Sequence, residues 1–171
     1  ATCGDGFVRA GIEQCDDSNS NNNDACLNTC QAATCGDGFI QTGIEQCDDS
    51  NSNNNDACLN TCQTATCGDG FVQAGIEQCD DSNSNNNDAC LNTCQAATCG
   101  DGFIRSGVEQ CDDANAVNTD ACLNSCQDAT CGDGVVRDGV EQCDDGNLDE
   151  TDGCSTSCTL PGCGDGFVQA G

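Results

Sequence analysis

A cysteine stands at positions 3, 35, 67, 99, 131 and 163, each 32 residues after the last. A fixed period of that length means tandem units that rely on their neighbours, because one unit alone buries too little. Each full copy carries four cysteines, in the first Cys3, Cys15, Cys26 and Cys30. The second has Cys35, Cys47, Cys58 and Cys62, and the third Cys67, Cys79, Cys90 and Cys94. The fourth has Cys99, Cys111, Cys122 and Cys126, and the fifth Cys131, Cys143, Cys154 and Cys158. With Cys163 these are all 21 cysteines of the 171-residue chain. The repeats therefore run 1–32, 33–64, 65–96, 97–128 and 129–160, and 161–171 starts a sixth. Both ends fall inside the unit, so the sequence reads as a slice of a longer chain.

Thiols at this density form a disulfide scaffold in an oxidising compartment, which places the protein outside the cell or at its surface. The spacing C-x11-C-x10-C-x3-C, with no His in the chain, does not match the short Cys pairs of structural zinc sites. Four cysteines allow three pairings. Cys3–Cys26 with Cys15–Cys30 is the favoured one, all 21 cysteines being read as bridged. The swapped pairing fits equally, and a bridge across the link from Cys30 to Cys35 stays open.

Thirty acidic residues against three arginines leave a formal net charge of −27. Such a polyanion repels nucleic acid and anionic lipid and attracts cations. No apolar run of 18 residues occurs, so no membrane insertion is expected. The absence of His, Lys and Tyr removes the usual acid–base and nucleophile pairings, and no enzymatic activity is expected. Five Phe are the only aromatics, and a 32-residue unit cannot be held by its apolar side chains alone.

Within a unit, GFVRAGIEQC (6–15) has two β-prone pieces around Ala10-Gly11, which predicts a tight hairpin. The stretch 16–23 is made of turn-formers and reads as a loop. DACLNTC (24–30) starts with an N-cap residue and predicts one or two helical turns. The expected fold class is small, irregular, disulfide-rich tandem repeats, each with a short β-hairpin, a calcium loop and helical turns, stacked as a linear array.

The loop CDDSNSNNNDAC (15–26) shows which residues matter, because the later copies have drifted. Copies four and five keep both aspartates, the asparagine two positions on and the last aspartate. They replace Ser18 by Ala114 and Gly146, Asn21 by Val117 and Asp149, and Asn23 by Thr119 and Thr151. The asparagine run is thus partly filler, and Ser20 and Asn22 read as solvated. Five carboxylates close together repel without a counter-ion. An all-oxygen donor set selects a hard cation, and flexible clustered carboxylates suit Ca2+.

The expected calcium ligands in the first repeat are Asp5, Glu13, Asp16, Asp17, Asn19 and Asp24. In the second they are Asp37, Glu45, Asp48, Asp49, Asn51 and Asp56, and in the third Asp69, Glu77, Asp80, Asp81, Asn83 and Asp88. The fourth offers Asp101, Glu109, Asp112, Asp113, Asn115 and Asp120, and the fifth Asp133, Glu141, Asp144, Asp145, Asn147 and Asp152. The run Asp17-x-Asn19-x-Asn21-x-Asn23 is similar to the opening of an EF-hand loop but lacks its glycine and terminal Glu. Glu13 is expected to take the bidentate role.

The unit CGDGFVRAGIEQCDDSNSNNNDACLNTC (3–30) resembles the myxobacterial-type cysteine-rich disulfide repeat, whose pattern is C-G-D-G, G-x-E-x-C-D-D-G-N and D-G-C-x-x-x-C. The match covers essentially the whole chain, and copy five fits best. Copies one to four carry Ser18, Ser50, Ser82 or Ala114 and Ala25, Ala57, Ala89 or Ala121 where the pattern has glycine. The loop is expected to tolerate ordinary residues there. The resemblance implies calcium binding, disulfides, an extracellular location and a role as stalk or accessory module without enzymatic activity.

The expected function is a calcium- and disulfide-stabilised structural array forming a stiff fibre, filament or surface stalk. Its partners are adjacent repeats and further copies in a fibre. The alternative is a calcium-dependent adhesin or a module binding a glycan or partner. Ser18, Ser20 and Thr29 recur along the chain and could carry O-linked glycans.

Overall fold

The structure is a computed structural model that describes residues 3–166 and 168. The chain forms two compact units, Ala1–Ser84 with Asn92–Gln95, and Asn85–Leu91 with Ala96–Gly171. Among the described residues there is no helix, and the only β structure is isolated antiparallel bridges: Cys26 with Ala32, Cys58 with Thr64, Cys90 with Ala96 and Cys122 with Asp128. No helix of the described residues is long and apolar enough to cross a membrane. Disulfide-rich tandem repeats are what the chain forms, but the expected hairpins and helical turns are absent.

The hairpin fails because its turn is closed differently. Ile12 and Glu13 N–H both donate to the Arg9 carbonyl at 3.0 Å. The Glu13 carboxylate returns to accept the Arg9 N–H at 2.9 Å. Residues 9–13 therefore form one self-capped turn, and the flanking pieces pair elsewhere. Gln14 N–H goes to the Cys30 carbonyl at 2.9 Å. The same closure recurs at Gln41–Glu45, Gln73–Glu77, Arg105–Glu109 and Arg137–Glu141.

The helical turns fail because the chain reverses after four residues. Cys30 N–H donates to the Leu27 carbonyl at 2.8 Å, and Cys30 adopts φ +57°, a left-handed conformation that ends helical winding. The segment beyond folds back, so that Leu27 N–H reaches the Gln31 carbonyl at 2.9 Å and Ala33 N–H the Ala25 carbonyl at 3.1 Å. Cys62, Cys94, Cys126 and Cys158 repeat the positive φ.

The disulfides are nested rather than crossed. Cys15–Cys26 closes an inner loop of separation 11 within Cys3–Cys30, of separation 27. This corrects the favoured Cys3–Cys26 and Cys15–Cys30 pairing. The reversal at Leu27–Cys30 turns the two cysteines toward different partners instead of placing them on one helical face. The same pattern gives Cys35–Cys62 and Cys47–Cys58, Cys99–Cys126 and Cys111–Cys122, and Cys131–Cys158 and Cys143–Cys154. In the third repeat Cys67 pairs with Cys94, and Cys79 and Cys90 are disulfide-bonded too. Closing such loops stabilises by roughly 3–4 kcal/mol each on a chain-entropy estimate. Cys163, expected to be bridged, is free and exposed.

Sulfur is the core. The buried residues are Cys26, Cys30 and Leu27 in the first repeat and their cysteine counterparts in the others, joined by Leu91 in the third. Neighbouring repeats meet through hydrogen bonds. Within the first unit, Asn23 Nδ2 donates to the Ile40 carbonyl at 2.8 Å while its own carbonyl accepts Thr42 N–H at 2.9 Å. Asn55 does the same to Val72 and Ala74. Within the second unit, Asn87 holds Ile104 and Ser106. Thr119 keeps only the main-chain half of the clasp, to Asp138 N–H at 2.8 Å, and adds its hydroxyl to the Asp138 carboxylate at 3.0 Å. Phe7 is 76 % exposed, whereas Phe39, Phe71 and Phe103, each following a clasped repeat, are 38–39 % exposed.

The loop does not tolerate ordinary residues freely. Ser18, Ser50, Ser82 and Ala114 have φ between 59° and 64°, where Gly146 has 78°. A left-handed conformation costs a residue with a Cβ about 1 kcal/mol or more. The counterpart of Ala25 differs, since Gly153 needs no positive φ and ordinary residues fit there. Ala114→Gly is expected to stabilise the protein by about 1 kcal/mol, less the small entropy gain of the unfolded chain. A chemical denaturation midpoint unchanged or lowered would refute this.

Candidate functional site

Each repeat is organised around one carboxylate, the first aspartate of its Asp-Asp pair. Asp16 Oδ2 accepts Gly4 N–H at 2.9 Å and Asp5 N–H at 3.1 Å, and Oδ1 accepts Gly6 N–H at 2.8 Å and Ser18 N–H at 3.0 Å. Three successive amides converge because Gly4 and Gly6 take φ +90° and +84°, which an L side chain rarely adopts. A Cβ on Gly4 would also stand 3.0 Å from the Asn19 carbonyl oxygen. Asp48, Asp80, Asp112 and Asp144 hold the equivalent amides at 2.6–3.2 Å.

These contacts favour the ionised form. The Ser18 amide is the largest influence holding the Asp16 carboxyl below its usual range, followed, against an opposing effect of burial, by the amides of Gly6, Gly4 and Asp5. Burial alone would raise the Asp48 carboxyl, but the amides of Ser50, Gly38, Gly36 and Asp37 outweigh it. The same balance lowers Asp80, Asp112 and Asp144.

The other expected ligands divide into two groups. Asp37 Oδ2 accepts Thr34 N–H at 2.7 Å and Oδ1 accepts Phe39 N–H at 3.0 Å, which closes the CGDG turn. Asp69, Asp101 and Asp133 do likewise. In the first repeat Asp5 binds Phe7 N–H and pairs with Arg9 at 2.9 Å. Glu13, Glu45, Glu77, Glu109 and Glu141 cap the 9–13 turn and its equivalents.

The second group lies in the loop. Asp24 Oδ2 accepts Asn19 Nδ2 at 3.1 Å and Oδ1 accepts Cys26 N–H at 3.2 Å. The Cys26 amide is the main cause that lowers the Asp24 carboxyl, and the side chains of Asn19, Asp17 and Asn21 add to it. Asp17 and Asp24 are thus brought face to face beside Asn19. Asp56 has Asn51 and Asp49 as neighbours, and Asp120 has Asn115 and Asp113. In the fifth repeat burial, then Asp152, raises Asp145, while Asn147 leads in lowering Asp152.

Of the residues read as filler, Asn21, Asn22 and Asn23 are structural. Asp17 accepts Asn19 N–H, Asn19 accepts Asn21 N–H and Asn21 accepts Asn23 N–H, at 3.2, 2.6 and 3.1 Å. Each side chain caps the amide two residues on, which satisfies a backbone with no helix or sheet to do so. Asn22 accepts Asn28 N–H at 2.7 Å, and Asn23 is the clasp to the next repeat. Alternating Asx residues were the available signal, and it looks the same as solvation when no partner is in view.

By distance alone, Cys3, Asp16 and Cys30 could hold a metal ion, as could Cys35, Asp48 and Cys62 and the three equivalent groups, their ligand atoms lying within 4.8 Å of one another. Their chemistry does not suit one. The sulfurs are bridged to each other and carry no thiolate charge, and the carboxylate oxygens already receive four N–H groups. The all-oxygen group Asp17–Asn19–Asp24 and its counterparts in the second, fourth and fifth repeats have the donor chemistry of a hard cation.

Fold and site define a disulfide-rich tandem-repeat protein built on a carboxylate–amide hub. The chain belongs to the family described as Domain of unknown function (DUF4215), whose model matches residues 1–31, 33–63, 64–95, 97–127 and 128–159. The match establishes a cysteine-rich repeat family, and the myxobacterial type is a finer assignment than it carries. No curated protein and no solved structure matches the chain.

Asp48→Asn would leave one acceptor oxygen for four amides and present an NH2 to the rest. It is expected to lower the melting temperature by on the order of 5 °C, and an unchanged melt would remove the hub from its central role. Acid should act in the same direction. Carboxyls lowered in the folded state stabilise fully above the ordinary aspartate value of about 4 and lose that contribution as pH falls through their lower folded values. Melting temperatures should therefore hold down to about pH 4 and drop below it. Asp145, raised instead, contributes with the opposite sign.

Proposed function

We propose that the chain is an extracellular structural module, a stretch of fibre or surface stalk in which disulfides, internal carboxylate–amide pairing and calcium take the place of an apolar core. The observation that carries this reading is the clasp between repeats. The loop of one repeat gives its backbone and side chain to the next at Asn23, Asn55 and Asn87. Nearest-neighbour coupling of identical units suits load-bearing more than recognition. The bridged cysteines support an oxidising, extracellular setting. A calcium-binding, myxobacterial-type repeat without enzymatic activity fits the same picture, and O-linked glycans at exposed Ser20 and Thr29 would add a solvated coat.

Calcium is proposed at Asp17, Asn19 and Asp24 and at the equivalent residues of the second, fourth and fifth repeats. Two carboxylates held together without a lysine nearby gain from a divalent ion, which would complete its six to eight oxygens from asparagine, backbone and water. An ion present at about 100 times its Kd adds about 2.7 kcal/mol per site. The test is a thermal melt with negative-stain imaging, in calcium and in EGTA. Calcium should raise the melting temperature and straighten the particles, and Asp49→Asn with Asp56→Asn should reduce the shift. Identical melts and images would sink the calcium role. Loss of extended particles on mild reduction alone would leave the disulfide scaffold standing without it.

A further inference from the structure

The fifth repeat departs from the other four where a cavity of about 210 Å3 opens in the second unit. Ser155 stands where the earlier repeats carry Leu27, Leu59, Leu91 and Leu123. Leu27 and Leu91 are buried, so the substitution turns a core position into a polar wall. Glu150 likewise replaces the asparagine of Asn22, Asn54, Asn86 and Asn118, and reaches the Thr156 hydroxyl.

Three hydroxyls line the cavity as a closed ring. Ser155 and Ser157 oxygens are 2.9 Å apart, Ser155 and Thr159 2.8 Å, and Ser157 and Thr159 3.2 Å. Three O–H groups serve three contacts, so the donors are spent within the ring, and Ser155 also accepts Thr159 N–H at 3.2 Å. That uses both lone pairs of Ser155, so the acceptors left beside the cavity are one lone pair each on Ser157 and Thr159 and the carboxylates of Glu150 and Asp165, which also accept Thr156 O–H and Gly162 N–H. No Lys, Arg or His is among the lining residues, and Leu160 and Pro161 supply an apolar rim.

A wall of acceptors selects a ligand made of donors. An ammonium has three donors and no acceptor, and an apolar rim suits the methylene stem behind it. We propose that this cavity binds an alkylammonium group, from either a lysine side chain of a partner or a free polyamine. None of the 171 residues is a lysine, so none of them supplies that group.

The test is calorimetric titration of the whole 171-residue protein in a fixed excess of calcium, with three probes. These are Nα-acetyl-lysine methylamide, its Nε-acetylated form and putrescine. Ser155→Leu restores the side chain of the other four repeats and keeps the net charge, so it isolates the cavity from the polyanion. Glu150→Gln removes one acceptor charge. Saturable binding of an amine by the wild type, weakened about tenfold or more in both variants and missing for the acetylated probe, supports the proposal. Binding confined to the lysine derivative assigns the site to a partner's side chain, and binding of putrescine as well assigns it to polyamines too. Equal binding by Ser155→Leu, equal binding of the acetylated probe, or no saturable binding overturns it.

Discussion

In every repeat one aspartate holds the backbone of a segment ten to twelve residues before it. Four amides on one carboxylate are charge-assisted hydrogen bonds, stronger than neutral ones, and they fix the CGDG loop against the start of the acidic loop. The outer disulfide ties the same two regions, since Cys3 precedes the amides and Cys30 follows the loop. The rest of the unit hangs on this joint. The CGDG turn, the left-handed residue at Ser18 and the approach of Asn19 to Gly4 are all geometric conditions for it.

A hub of this kind makes a large apolar interior unnecessary. The cysteines and a leucine fill what interior there is, and Ile12, Ile44 and Ile76 stay more than 70 % exposed. Backbone groups that would pair in helices or sheets are satisfied by Asn, Asp, Glu and Gln side chains instead. That explains the composition: these residues do the hydrogen-bonding work of secondary structure. It also explains why Asp16, Asp17, Asn19 and Asp24 have counterparts in every loop while the exposed apolar positions vary between Ile and Val.

Within that uniform scheme the fifth repeat keeps the hub, the nested bridges and the turn cap, yet loses the buried leucine and gains a ring of hydroxyls. Structural duty and divergence are therefore separable within one unit. All five repeats keep the joint's aspartate, whereas the reversal at 155–158 accepts other side chains because its shape is set by the flanking disulfides.

The sequence alone determined the 32-residue period, the four cysteines of each full unit and the grouping of acids near Cys15. Those properties depend on spacing and composition, which need no third dimension. Tertiary structure decided which carboxylate does what. Asp16 and Asp17 are adjacent in sequence, yet one faces four amides and the other faces Asp24. It also decided that Asn22 caps the Asn28 amide, that Asn23 clasps the next repeat, and that Cys26 and Cys30 serve a chain reversal rather than a helix face. Short polar segments leave these choices undecided, because an asparagine or aspartate can satisfy water, its own backbone or a distant amide at similar cost. Only the two nested disulfides, by bringing distant amides within reach, tip the balance toward one partner.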